Sequence, residues 1–123
     1  MKVDSVIPIL NVSDVEASLQ WFVKLGFTRG FEWRSEGEDV TGFAAVGADG
    51  SEIFLCLDGQ GGRGEHATWM SVFVDDVDAV HETCVREDAR VVMPPQDEPW
   101  GVREMHVEHP DGHILRFSTG LHD

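Results

Sequence analysis

Basic residues are scarce in this chain. Nine Lys and Arg stand against 23 Asp and Glu in 123 residues, a formal charge of −14. Nucleic-acid binding depends on cations that neutralise phosphates, so this balance argues against a nucleic-acid partner and against an anionic membrane surface. It permits a cationic partner, whose approach a negative field speeds. Cysteine is nearly missing. Cys56 and Cys84 sit in apolar contexts with no CxxC spacing, which speaks against a disulfide framework or a thiolate metal site. No apolar run approaches the roughly 20 residues of a membrane span. The stretch Met1 to Asp14 has an early Asp and only a short apolar run, so it does not read as a signal peptide. A cytoplasmic protein with reduced thiols is the expectation. No Gly-x-Ser-x-Gly turn marks a nucleophile, and the glycines of Gly59 to Gly64 lack the Lys-Ser/Thr of a phosphate loop. Tyrosine is absent, so the aromatic inventory is four Trp and seven Phe.

What the chain does have is an internal repeat. Val12-Ser13-Asp14-Val15-Glu16-Ala17 matches Val74-Asp75-Asp76-Val77-Asp78-Ala79, 62 positions on, and Asp49-Gly50 matches Asp111-Gly112 at the same offset of 62. Two separate stretches sharing one offset, half the chain length, point to a tandem duplication.

Each half reads as strand, helix, then three strands. Ser5 to Val12 is strand-like. Ser13 is a helix N-cap candidate with Glu16 in a capping-box position, and Val15, Leu19, Phe22 and Val23 recur at helical spacing up to a stop at Gly26. Strands follow at Phe27 to Arg34, Thr41 to Val46 and Ser51 to Leu57, the last two joined by a turn at Asp49-Gly50. The polar tract 59–65 reads as a linker between modules 1–58 and 66–123 of one domain. The second half repeats the order: a strand at Ala67 to Val74, a helix capped by Asp75 and running to about Asp88, then Arg90 to Met93 stopping at Pro94-Pro95. A loop carrying Trp100, a strand at Val102 to His109, the Pro110-Asp111-Gly112 turn and a strand at His113 to Thr119 complete it. The pattern βαβββ-βαβββ is α+β, with two mostly antiparallel sheets expected to curve around a shared cleft and helices outside.

Asn11 to Ser18 leading to Leu25-Gly26-Phe27, then Val74 to Asp78, then Trp100-Gly101-Val102-Arg103-Glu104 followed by His109-Pro110-Asp111-Gly112, resemble the vicinal oxygen chelate superfamily. That superfamily includes glyoxalases, extradiol dioxygenases and bleomycin-resistance proteins. The stretch Trp100 to Phe117 is most similar to the bleomycin-resistance branch. The resemblance implies two βαβββ modules forming a curved mixed sheet around a cleft, a homodimer, and stoichiometric binding of a cationic glycopeptide antibiotic without chemistry or cofactor. It leaves a second class open, a metal-dependent glyoxalase- or dioxygenase-like enzyme with atypical ligands. The metal-ligating positions of such relatives map onto Ile7, Phe54, Trp69 and Arg116, and these four offer no donor that a divalent cation favours.

Strand alternation suggests what lines a ligand surface. Ile53, Leu55 and Leu57 form a core set opposite Glu52, Phe54 and Cys56. Met70, Val72 and Val74 oppose Trp69, Ser71 and Phe73; Leu115 and Phe117 oppose Ile114, Arg116 and Ser118. The second set in each case is mixed polar and aromatic, as a ligand-lined face requires. Trp33, Glu52, Phe54, Trp69, Ser71, Trp100 and Arg116 are therefore the candidate ligand-binding residues, with Trp33, Trp69 and Trp100 able to stack on a flat ligand. Trp21 is expected in helix packing. Arg116 is awkward for a cationic ligand, unless it pairs with Glu52 or instead holds an anionic group. Glu104, His106 and Glu108 alternate along a strand, either as a solvated face or as a metal set, with His66 a further donor near Trp69. His109 and His113 flank a turn and are expected to be exposed. His81 on the second helix and His122 in the tail are assigned no function.

Overall fold

The computed structural model describes residues 1–121. The chain forms two compact units, Met1–Gly62 and Arg63–Asp123. The first contains β1 (Ile9–Val12), α1 (Val15–Lys24), β2 (Thr28–Trp33), β3 (Phe43–Ala48) and β4 (Ser51–Leu57). The second contains a short 3-10 turn at Gly64–His66, β5 (Trp69–Phe73), α2 (Val77–Arg86), β6 (Arg90–Glu98), β7 (Val102–Glu108) and β8 (Ile114–Gly120). Each unit is a four-stranded mixed sheet with one helix, in the orders β1-β4-β3-β2 and β5-β8-β7-β6. The α+β, twice-βαβββ architecture read from the sequence is the one observed.

The duplication extends to the register. In the first sheet Ile9 pairs with Phe54 in parallel. In the second Ser71 pairs with Arg116 in parallel. Both partners are displaced by 62 positions. Both helices start from an aspartate one residue later than the sequence suggests. Asp14 accepts from the Ala17 N–H at 3.0 Å and Asp76 from the Ala79 N–H at 3.2 Å. A carboxylate at the positive end of a helix is a stronger acceptor than the expected Ser13 hydroxyl. The shift places Glu16 too early for a capping box. Its carboxylate instead holds Arg29 at 2.7 Å, which keeps the Glu16 pKa down at about 2. The residues after the two C-caps, Gly26 and Asp88, both take positive φ, so the second helix stops on Asp88 with the backbone that glycine supplies in the first.

Along β4 and β8 Ile53, Leu55, Leu115 and Phe117 are buried beneath the helices as expected, while Leu57 is only half-buried. They join Leu10, Leu19 and Phe22 in the first core, and Val77, Met105 and Val107 in the second. Met70 and Val72 are only half-buried, because β5 is an edge strand with a neighbour on one side. Ser118, expected on the open face, is buried. Strand β1 is shorter than anticipated. Ile7 precedes it, and Pro8, which has no N–H, ends the ladder by accepting from the Phe54 N–H.

Two further expectations are corrected. Strand β6 does not stop at Pro94-Pro95. It runs through both, with pairing interrupted between Met93 and Gln96. As an edge strand it tolerates the N–H-less prolines, which fall in the gap in its pairing. His109 and His113 are not exposed but fully buried, at 1% and 0%. The β7–β8 turn docks onto the segment before β5, where Gly64 N–H donates to Asp111 C=O at 2.8 Å. Gly112 has φ +94°, and a Cβ there would lie 2.9 Å from the Gly64 oxygen. Gly50, at the equivalent turn, has φ +86° and open space. Gly112→Ala is therefore expected to destabilise by about 2–3 kcal/mol and Gly50→Ala by about 1, a gap that urea titrations of the two variants resolve.

The tract read as a linker is partly tied down. The Asn11 side chain donates to the carbonyls of Gly59 and Gly61 at 3.0 and 2.6 Å and accepts from the Gly59 N–H. No helix among the described residues is long and apolar enough to cross a membrane.

Candidate functional site

The second sheet carries the better-defined face. Trp69, Ser71 and Phe73 alternate outward on β5, and Trp69 and Phe73 are 65% and 71% exposed. Arg116, on the neighbouring β8, stands opposite Ser71 in register. Its guanidinium carbon lies over the Trp69 ring, 4.8 Å from the centroid, in cation–π geometry. Strand β7 then contributes Glu104 and His106, the latter directly across from Arg116.

Glu104 organises this group. Its side chain is 3% exposed. Arg116 donates to it through Nε at 3.0 Å and Nη2 at 2.9 Å. His106 Nε2 lies 2.6 Å from Oε2, and the Trp100 indole N–H donates to Oε1 at 3.4 Å. Burial alone works to raise the Glu104 pKa, but the hydrogen bonds from His106, Arg116 and Trp100 outweigh it and hold the carboxyl below its ordinary value. The result is a carboxylate fixed under the face, a guanidinium held over an indole, and a net charge near neutrality between them. The outward surface is therefore aromatic and donor-rich rather than acidic. Trp100, 61% exposed on its Gly101 turn, flanks it.

Arg116 pairs with Glu104 of its own unit, because the register of β7 with β8 brings the two together. Glu104, His106 and Glu108 do not act as a set. Glu104 and His106 meet around Arg116, while Glu108 is drawn to Arg90 at 3.1 Å. Among the described residues no group of three His, Cys, Asp or Glu could hold a metal ion. Ile7, Phe54, Trp69 and Arg116 likewise do not fit one: three lack donor lone pairs and the fourth is positively charged. His66 is exposed and His81 half-buried, and His122 lies outside the described residues.

The first sheet has its own aromatic face. Phe54 meets Phe31 and Phe43 edge-on, at ring-centroid distances of 5.3 and 5.4 Å, and Phe31 stacks on Phe43 at 5.8 Å. Trp33, 57% exposed, is the cross-strand partner of Phe43, and Glu52 lies two residues from Phe54 on the same strand face. Trp21 packs edge-on against Phe22 at 4.9 Å, as helix packing requires. Sequence reasoning missed Phe31 and Phe43. The available signal was the Phe31–Trp33 alternation, two large aromatics on one face of a strand. It read Glu104 and His106 as part of a solvated strand face or a metal set, not as partners of Arg116.

Residues 2–117 match the Glyoxalase/Bleomycin resistance protein/Dioxygenase superfamily. The chain belongs to that superfamily. Among solved structures it is similar to TioX from Micromonospora sp. ML1, with a TM-score of 0.82 and 24% identity over 97% of this chain and 100% of that one. It is also similar to the bleomycin-binding protein of bleomycin-producing Streptomyces verticillus, complexed with copper(II)-bleomycin. There the TM-score is 0.70 and the identity 25%, over 98% of each chain. An antibiotic-binding protein from Streptomyces sp. CB03234 gives 0.79 and 21%, again over 98% of each chain. None of the curated proteins compared with the chain matches it. Superfamily membership fixes the fold, and the residues of each face decide the chemistry.

Proposed function

We propose that this protein binds and sequesters a small antibiotic-type organic molecule without transforming it. The observation that carries this reading is the clamped pair on the second sheet. An exposed indole, Trp69, is backed by Arg116, which Glu104 holds in place through two hydrogen bonds. Such a surface suits stacking against a flat aromatic group, with Trp100 alongside and Ser71 available to orient it. Trp33 and Phe54, with Glu52 near them, offer a second aromatic face on the first unit. Bleomycin is the specific ligand we put forward, supported by the similarity to a bleomycin-binding protein and by the formal charge of −14, which would steer a cationic drug. Because Glu104 neutralises Arg116, the local face does not repel such a ligand. We further propose that the chain is one domain of two modules joined by 59–65, acts as a homodimer, and works in the cytoplasm. Cys56 and Cys84 are free thiols, consistent with a reducing compartment. The reading as a metal-dependent enzyme is not favoured, since the donor set at the mapped positions does not fit a metal.

The test is titration calorimetry with metal-free and copper-loaded bleomycin at two salt concentrations. Saturable binding is expected, with Trp69→Ala and Trp100→Ala each weakening it by about tenfold, the equivalent of roughly 1.4 kcal/mol of lost stacking. Absence of heat at either salt would remove bleomycin as the ligand, and unchanged affinity in Trp69→Ala would remove the second sheet as its site.

A further inference from the structure

Two histidines lie outside the ligand face, and that face makes no use of them. His109 and His113 bracket the β7–β8 turn, are fully buried, and have ring centroids 5.3 Å apart. Each accepts a backbone hydrogen bond through Nδ1. The Asp111 N–H donates to His109 at 2.9 Å, and the Thr68 N–H donates to His113 at 3.0 Å. A ring that accepts at Nδ1 carries its proton on Nε2 and is neutral. Protonation would place a second N–H against the backbone N–H that each ring now receives. It would also bury two positive charges side by side.

The His113 bond joins the turn to the segment that leads into β5, and the His109 bond braces the turn that docks there. Gly64 N–H donates to Asp111 C=O, Ile114 N–H donates to Thr68 C=O at 2.9 Å, and Gly112 lies against the Gly64 backbone. Thr68 is thus held on both sides, and Trp69 is the next residue. The turn and the segment docked on it carry the ionisable groups Asp111, Glu108 at the end of β7, Arg63, Glu65 and His66. The nearby Asp111 favours protonation of His109, but burial and the neighbouring His113 prevail and push its pKa down to about 4.

We propose that His109 and His113 form an acid-sensitive latch that fastens the β7–β8 turn to residues 64–68, and that its opening frees Trp69 and releases the bound ligand. The release part rests on the function proposed above; the latch itself does not.

Amide exchange of the full chain, corrected for intrinsic rates, tests the latch without any ligand. Protection of the Thr68 and Asp111 amides is expected to fall at least roughly tenfold between about pH 6 and pH 4, while the Leu55 amide in the first unit holds. His109→Asn with His113→Asn places a non-titrating oxygen near each Nδ1 and is expected to abolish that fall. Flat protection in the wild type, or the same fall in the doubly substituted protein, would overturn the latch. Should that variant not fold, ring nitrogen shifts of the wild type decide: a charged ring, or one protonated at Nδ1, at neutral pH would overturn it. Copper-loaded bleomycin then probes release. Loss of binding in the window where the amides open supports it, and opening with binding unchanged contradicts it. Absence of bleomycin binding at every pH would contradict the functional reading and with it release of this ligand, leaving the latch to be judged by exchange.

Discussion

Glu104→Leu is expected to destabilise the second unit by about 2–4 kcal/mol, as read from urea unfolding. Breaking a buried ion pair by removing one partner typically costs about 3–5 kcal/mol, because the remaining charge loses its compensation. Arg116 retains 22% side-chain exposure, which softens the loss. The same substitution leaves the Trp100 indole N–H and His106 without their acceptor. Glu104→Gln keeps an oxygen of the same reach and is expected to cost about half as much, since one donor contact survives. Combining Glu104→Leu with Arg116→Met should recover most of the stability, because no unpaired charge then remains. A double-mutant cycle measures the coupling directly. Ligand binding should not recover in the double variant, since the cation over Trp69 is gone. That separation of stability from binding distinguishes a positioning role for Glu104 from a merely structural one.

Stability is expected to fall with acid by on the order of 3 kcal/mol from His109 alone. The residue is buried, and its pKa falls from 6.5 in the open chain to about 4 in the folded one. The unfolded state therefore binds the proton first. Stability is fully present above about pH 6.5, declines as the pH drops toward about 4, and levels off below that as far as this residue is concerned. Carboxylates such as Glu16, whose pKa is held down at about 2, contribute losses at lower pH. His109→Asn should flatten the decline between about pH 6 and pH 4 while leaving the more acidic limb in place. Equal slopes in wild type and variant would assign the acid sensitivity to other groups.

Much of this architecture was legible in the residues. The offset of 62 located both helices, and both turned out to begin and end in step: Val15–Lys24 and Val77–Arg86. Alternation on β4 and β8 assigned Leu55 and Leu115 to the cores. What escaped depended on register and turn length. Ala48 pairs with Ser51 around a tight Asp49-Gly50 turn, whereas Glu108 pairs with Ile114 around residues 109–113. That longer turn folds back onto Gly64 and buries two histidines that composition alone would leave in water. It also sets the register in which His106 faces Arg116 and Glu104 comes within reach. Glu104 and Arg116 are separated by twelve positions, and nothing local to either predicts the pair. The prolines of β6 misled for a related reason. Pro94 and Pro95 signal a break in any central strand, and only the strand order shows that β6 is an edge.

The most direct test of binding without turnover is recovery of the ligand. Copper-loaded bleomycin would be dialysed to equilibrium against the protein, the protein then denatured, and the released compound weighed by mass spectrometry. The expected result is a saturable amount of bleomycin returned chemically unchanged, and much less of it retained by Trp69→Ala. A compound returned altered in mass would contradict sequestration and make the protein an enzyme.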